Sequence, residues 1–130
     1  MGSEEVGPRR FFASLRYAAE GIAYCIKTQR NMRIHLVVAI IVLLSGILLK
    51  VVKTEFIMVL ISISMVFICE IINTAVERAV DTATLEYHPI AKIAKDVAAG
   101  AVLVAALNSV IVGLLVFGKY LSAIVLKLLE

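Results

Sequence analysis

Glu70, Asn73, Glu77 and Asp81 follow one another at intervals of three, four and four residues. At about 100° per residue, that spacing puts three carboxylates and an amide on one face of a helix. The row continues straight out of an uncharged run, Phe56–Cys69. Like charges at this spacing repel one another, and withdrawing them from water adds a desolvation penalty. A bound cation relieves both. More polar residues follow closely: Glu86-Tyr87-His88, then Lys95-Asp96.

A carboxylate at the edge of an apolar layer, Glu70, can act as a general base toward a lipid hydroxyl. Glu77 lies two turns further out and can hold Mg2+, a hard cation that keeps waters and bridges phosphates. Lys95 and the arginines can neutralise phosphate charge. Phosphoryl transfer needs little beyond such positioning and charge neutralisation. The chain has neither a GxxxxGK[ST] loop nor a kinase-type Gly-rich loop, so any ATP is held without a standard phosphate cradle. His35 and His88 lack metal-motif spacing and read as ordinary hydrogen-bonding residues. The plain alternative for the acidic row is a set of snorkelling or interhelical pairs.

These residues need elements to hold them, and the composition says which. The 130 residues are 62% hydrophobic, with a mean hydropathy of +1.00, more apolar than a soluble domain of this size. That implies an all-α membrane protein of three or four helices in one domain, with no room for a soluble catalytic module. So small a bundle has little interior, which favours lateral assembly into an oligomer. The net charge is +3, and the basic residues crowd the N-terminal third: Arg9, Arg10, Arg16, Lys27, Arg30 and Arg33. This is the pattern of a cytoplasmic anchor beside an anionic leaflet, and in so apolar a chain it argues against nucleic acid as a partner. Cys25 and Cys69 read as reduced packing residues, with no CxxC pair and no disulfide framework. No cleavable signal peptide is expected.

In chain order, residues 1–10 read as a flexible tail with Gly7-Pro8 as a breaker, and residues 11–130 as one membrane domain. From about 11 to 28, Phe12, Leu15, Ala19, Ile22, Ala23 and Ile26 share one helix face and Arg16, Glu20 and Lys27 the other. That suits an amphipathic helix on the membrane surface. Three spans are expected, at about 35–52, 55–81 and 96–118. The first gives roughly 25 Å of rise, just enough to cross a bilayer core. Thr82 to Ile93 reads as a polar hinge in which Pro89 breaks any helix. Val97 to Gly118 is uncharged, and its small residues Ala98, Ala99, Gly100, Ala101, Ala105 and Ala106 permit close helix contacts. The charge pattern places the N-terminus and the clustered polar groups at the cytoplasmic face of the cell membrane, and the C-terminus outside.

The pattern Glu70-x-x-Asn73-x-Ala75-x-Glu77-x-x-x-Asp81, then Glu86-Tyr87-His88 and Ala94-Lys95-Asp96, resembles the prokaryotic diacylglycerol kinase family of small integral membrane lipid kinases. The likeness runs over roughly residues 10–118. Arg30-Asn31-x-Arg33-Ile34-His35 is similar to the Gram-positive branch, whose members include undecaprenol kinases. The resemblance implies three transmembrane helices plus an N-terminal amphipathic surface helix. It also implies a homotrimer with active sites shared between subunits at the cytoplasmic face, and the use of MgATP. By position, Glu70 matches the catalytic base and Glu77 a metal ligand. Glu86, Tyr87, His88, Lys95 and Asp96 match nucleotide contacts, with Arg10 and Tyr17 where further nucleotide contacts fall. Asn73 and Asp81 match supporting signature positions. Gln29 departs from the pattern, standing where the family commonly has a glutamate as second metal ligand. Its carbonyl can bind Mg2+ or the nucleotide, but without a formal charge.

The expected activity is ATP-dependent phosphorylation of a membrane lipid alcohol, undecaprenol first and diacylglycerol second. A small proton-coupled transporter built around Glu70 would want that carboxylate near mid-bilayer, reachable from both sides. A non-catalytic membrane scaffold would not need Glu70 at all.

Overall fold

The computed structural model describes residues 8–84 and 86–129. It is all-helical among these residues, with four helices in order: α1 Pro8–Thr28, α2 Arg30–Leu48, α3 Lys53–Ala83 and α4 Pro89–Leu129. The last three are long and apolar enough to cross a membrane, which makes this a multi-pass membrane architecture. The expected tail at residues 1–10 falls mostly outside the described residues. Its last part, Pro8 to Arg10, forms the first turn of α1, because proline at the first helical position loses no hydrogen bond and has its φ preset.

Each connection has a local cause. At Gln29 the backbone is extended (φ −96°, ψ 122°), which separates α1 from α2. The Arg33 guanidinium donates to the Lys27 carbonyl (3.1 Å), satisfying an acceptor that the end of α1 leaves free, and the Thr28 hydroxyl donates back to the Tyr24 carbonyl (2.9 Å). α2 ends in a Schellman turn. Lys50 N–H donates to the Ile47 carbonyl (3.1 Å) and Val51 N–H to the Gly46 carbonyl (3.0 Å), with Lys50 left-handed at φ 53°.

The α3–α4 connection corrects the expectation of a polar hinge over Thr82–Ile93. α3 runs on to Ala83, and Pro89 opens α4 instead of breaking it. His88 acts as the cap: its Nδ1 accepts the Ile90 N–H (3.3 Å) and its carbonyl accepts the Lys92 N–H (3.0 Å). Proline is well tolerated at that first position. α4 also continues beyond Gly118 to Leu129.

α3 and α4 make the most extensive packing, α2 leans on α3, and α1 touches both α2 and α3. The buried apolar residues are few: Val59 and Val66 of α3, Val102, Ala105 and Val116 of α4, Met32 and Ala39 of α2, and Cys25 of α1. Gly46 marks a close approach of α2 to α3, since a Cβ there would come within 2.7 Å of the Phe56 ring. Two α3–α4 ion pairs fix the register, Asp81–Lys95 at one end and Glu55–Lys119 at the other. They stand about 36 Å of helix rise apart along α4. Large apolar side chains dominate the outer surface, a surface that hydrocarbon or a neighbouring copy accommodates and water does not.

Candidate active site

α3 carries one stripe from end to end: Val59, Ser62, Val66, Glu70, Asn73, Glu77 and Asp81, spaced by three or four residues. The stripe faces inward, and its polar members change from buried to exposed along the helix. Glu70 is 2% exposed and Asn73 7%; Glu77 is half-buried and Asp81 exposed. The small and branched residues Val102 and Ala105 of α4 are buried on the partner helix, so the carboxylates meet an apolar wall there.

Within the row, the Asn73 amide donates to Glu77 Oε1 (3.0 Å), the i,i+4 neighbour expected on a helix. The Thr74 hydroxyl donates back to the Glu70 carbonyl (2.8 Å). Glu70 Oε2 and Asn73 Oδ1 are buried without a hydrogen-bond partner, and so is Gln29 Nε2 at the α1–α2 break. An unsatisfied buried polar atom costs about 1–3 kcal/mol, so this cluster calls for a ligand. At the outer end, Asp81 pairs with Lys95 and lies 3.7 Å from the Arg78 guanidinium.

The other expected site residues are distributed around this row. Glu86, Tyr87 and His88 form the exposed α3–α4 loop. The Thr84 hydroxyl binds both the Glu86 carbonyl (3.0 Å) and its N–H (3.3 Å), which orients the loop. Asp96 pairs with Lys92 (2.5 Å). Arg10 and Tyr17 lie on the exposed side of α1, where the Arg16 guanidinium stands 5.3 Å from the Tyr17 ring centre. The structure thus unites Glu70, Asn73 and Glu77 on one face and joins Asp81 to Lys95. Tyr17 is held on a different helix from the row.

His35, read as an ordinary hydrogen-bonding residue, lines a groove together with Val66 and Phe67 of α3, the turn before Glu70.

The donor set fits a hard cation that takes only part of its shell from protein. Glu70, Asn73 and Glu77 offer oxygens. Among the described residues no group of three or more His, Cys, Asp or Glu converges as a metal cage. Gln29 fits less well. Its buried, unpartnered atom is a nitrogen, and the amide would have to turn to offer oxygen.

Known proteins share this arrangement of sequence. Residues 16–117 match the family described as prokaryotic diacylglycerol kinase. The chain is 44% identical over 108 residues to an undecaprenol kinase of Bacillus subtilis, covering 83% of this chain and 88% of that one. It is also 44% identical over 110 residues to a diacylglycerol kinase of Synechocystis, covering 84% of this chain but spanning 62% of that longer relative. A diacylglycerol kinase of Helicobacter pylori is 30% identical over 121 residues, 93% of this chain and 91% of its own.

Proposed function

Because the chain belongs to the prokaryotic diacylglycerol kinase family, we propose that it transfers the γ-phosphoryl group of ATP to the hydroxyl of undecaprenol. The observation that carries this reading is Glu70: a carboxylate buried where the apolar part of α3 gives way to its polar row, with one oxygen unpartnered. A lipid hydroxyl rising from the bilayer meets that oxygen before it meets any other acid of the row. Glu70 takes the hydroxyl proton, the lipid oxygen bonds to the γ-phosphorus, and the bond to the β-phosphate bridging oxygen breaks to release ADP. Burial keeps the carboxylate poorly hydrated, which suits a base that must accept a proton from an alcohol.

Glu77 would hold Mg2+, with Asn73 orienting the carboxylate through its hydrogen bond. The cation, when bound, supplies neutralisation of phosphate charge. Gln29 would contribute a nucleotide or metal contact once its amide turns. Glu86, Tyr87, His88, Lys95 and Asp96 would hold the nucleotide from the α3–α4 side, and Arg10 and Tyr17 from α1. Lys95 exchanges Asp81 for phosphate in that arrangement, leaving Asp81 beside Arg78.

The same reading takes α1 as an amphipathic surface helix on the cytoplasmic face, the N-terminus inside and the C-terminus outside. It takes the working unit as a homotrimer with shared sites, in which a neighbouring copy covers part of the exposed apolar surface. Undecaprenol is preferred over diacylglycerol because the Bacillus undecaprenol kinase matches at 44% identity over most of both chains. Diacylglycerol stands second through the relatives of that name. The test is a panel of both lipids in bilayers with labelled ATP and Mg2+. Greater turnover of undecaprenol is expected, and diacylglycerol turning over well above it would overturn the acceptor assignment.

A further inference from the structure

α4 carries an amide where a spanning helix has least use for one. Asn108 stands about 20 Å of helix rise past Lys95 and about 17 Å before Lys119, the two lysines whose ion pairs close the ends of the α3–α4 pair. That is the middle of the uncharged run, at the depth of the hydrocarbon centre. The side chain is exposed, and its amide has no hydrogen-bond partner among the described residues. An amide brings two donors and an acceptor, and lipid tails offer nothing to any of them. Ser45 and Ser64 settle their hydroxyls within their own helices, donating to the Ile41 carbonyl (2.8 Å) and the Leu60 carbonyl (2.9 Å). Asn108 makes no such bond.

Ala101, Val104, Ile111 and Leu115 extend a row to either side of Asn108, at alternating intervals of three and four residues. Ala101, Val104 and Leu115 each stand one residue before a buried residue of α4, namely Val102, Ala105 and Val116. The row is therefore turned about 100° from the face that packs on α3. Val104, Ile111 and Leu115 are all more than half exposed, and none of the row lines the groove that His35 and Val66 border. Alternation of three and four is the spacing of a helix–helix seam, and a single polar residue in such a seam fixes its register and the number of helices that join. Hydrocarbon covers the apolar members of the row as well as a helix would. The amide decides the occupant. In an oligomer whose axis runs along the membrane normal, every copy holds Asn108 at one depth, and an amide is complementary to itself, donor to acceptor.

We propose that the Asn108 row is a contact between copies of this chain, in which α4 packs on α4 and the Asn108 amides hydrogen-bond to one another at mid-bilayer. The inference goes beyond the lipid kinase reading and holds whichever alcohol is phosphorylated. It assigns one strip of the exposed apolar surface to a neighbouring copy and sets the direction in which α4 faces that copy. Ser64 on the outer side of α3 is a poorer partner for the amide. Its hydroxyl already donates to the Leu60 carbonyl, so it offers an acceptor and no donor.

Energy transfer between donor- and acceptor-labelled copies of the full chain, diluted in bilayers, gives the test. Asn108→Leu keeps the seam apolar and deletes the amide. It should raise the dissociation constant of the copies about tenfold, the scale of an interhelical amide bond between model spans. Asn108→Gln keeps both donors and the acceptor and should associate like the wild type, a rescue that a packing fault would not show. Leu107→Val, outside the row, should leave association unchanged. Association that is unchanged or tighter in Asn108→Leu overturns the proposal. Disulfide formation maps the contact with Asn108 in place, using single-cysteine variants in a Cys25→Ala, Cys69→Ala background. Val104→Cys and Ile111→Cys should link copies on oxidation, because a disulfide needs the two Cα atoms within about 7 Å, and Leu107→Cys should not. Linkage at Leu107→Cys without linkage in the row overturns the assignment. So does a disulfide between Ile111→Cys on one copy and Ser64→Cys on another, which would seat α4 on the outer side of α3.

Discussion

The two ends of the α3–α4 pair use the same residue types to opposite effect. At the far end the acid of the ion pair, Glu55, is matched on both oxygens. Glu55 takes Lys119 on one carboxylate oxygen and the Tyr120 hydroxyl on the other (2.9 Å), and that hydroxyl accepts the Val52 N–H (3.1 Å). This is a closed clasp joining the α2–α3 turn to α4. At the near end the outermost acid of the α3 row, Asp81, has its lysine. Deeper in, Glu70 Oε2, Asn73 Oδ1 and Gln29 Nε2 are buried and unmatched. A satisfied network specifies structure, whereas a partly satisfied one needs something the chain does not supply. Charge alone would not separate the two ends; hydrogen-bond accounting does.

The largest expected effect comes from Glu70→Gln. The amide keeps the shape and removes the base, so turnover should fall by about 10²–10⁴-fold, the usual contribution of a general base. Helicity and oligomer mass should match the wild type. Retained turnover would show that the unmatched oxygen is a packing fault and that the near end is structural after all. Glu77→Ala should follow with a smaller, different signature. A Mg2+ titration of activity should shift upward by about 10–100-fold, the scale on which weakened metal sites lose affinity. An unchanged titration would remove Glu77 from the metal and leave it only as the acceptor of the Asn73 amide.

The far end should respond in stability and not in catalysis. Tyr120→Phe deletes the hydroxyl that bridges Glu55 and Val52, a hydrogen-bonding loss of ~1 kcal/mol in unfolding free energy. Turnover per folded molecule should be unchanged, as measured by denaturant unfolding in detergent alongside the lipid assay. A fall in turnover without a fall in stability would tie the clasp to the distant site.

The contrast between the ends was only half legible in the amino-acid sequence. Spacing alone put Glu70, Asn73, Glu77 and Asp81 on one face, because helix periodicity is local and the run is long. Three uncharged runs announced the long apolar helices for the same reason. Exposure along the row was not legible: what buries Glu70 and leaves Asp81 open is the packing of α4, a tertiary fact. Pro89 misled because proline both breaks helices and starts them, and only the His88 cap, formed by Nδ1 and the Ile90 N–H, decides between the two. His35 looked like a solitary histidine, and only the packing of α2 on α3 sets it in a groove with Val66 and Phe67. The clasp was hidden by sequence distance, since Glu55 and Tyr120 meet across two helices.

The smallest expected effect concerns the turn beside the clasp. Lys50 occupies the left-handed position of the Schellman turn at φ 53°, a conformation that costs an L-residue with a Cβ roughly 1–2 kcal/mol. Glycine removes that strain but surrenders more freedom on folding, so Lys50→Gly should stabilise by only about 0.5–1 kcal/mol. The two turn hydrogen bonds, to the Ile47 and Gly46 carbonyls, do not involve the lysine side chain and should persist. Because the turn lies at the matched end, neither turnover nor the KM for lipid should move. If stability rises while KM for lipid also shifts, the α2–α3 turn sets the stance of α2 against α3, and the far end is a hinge for substrate entry as well as a clasp.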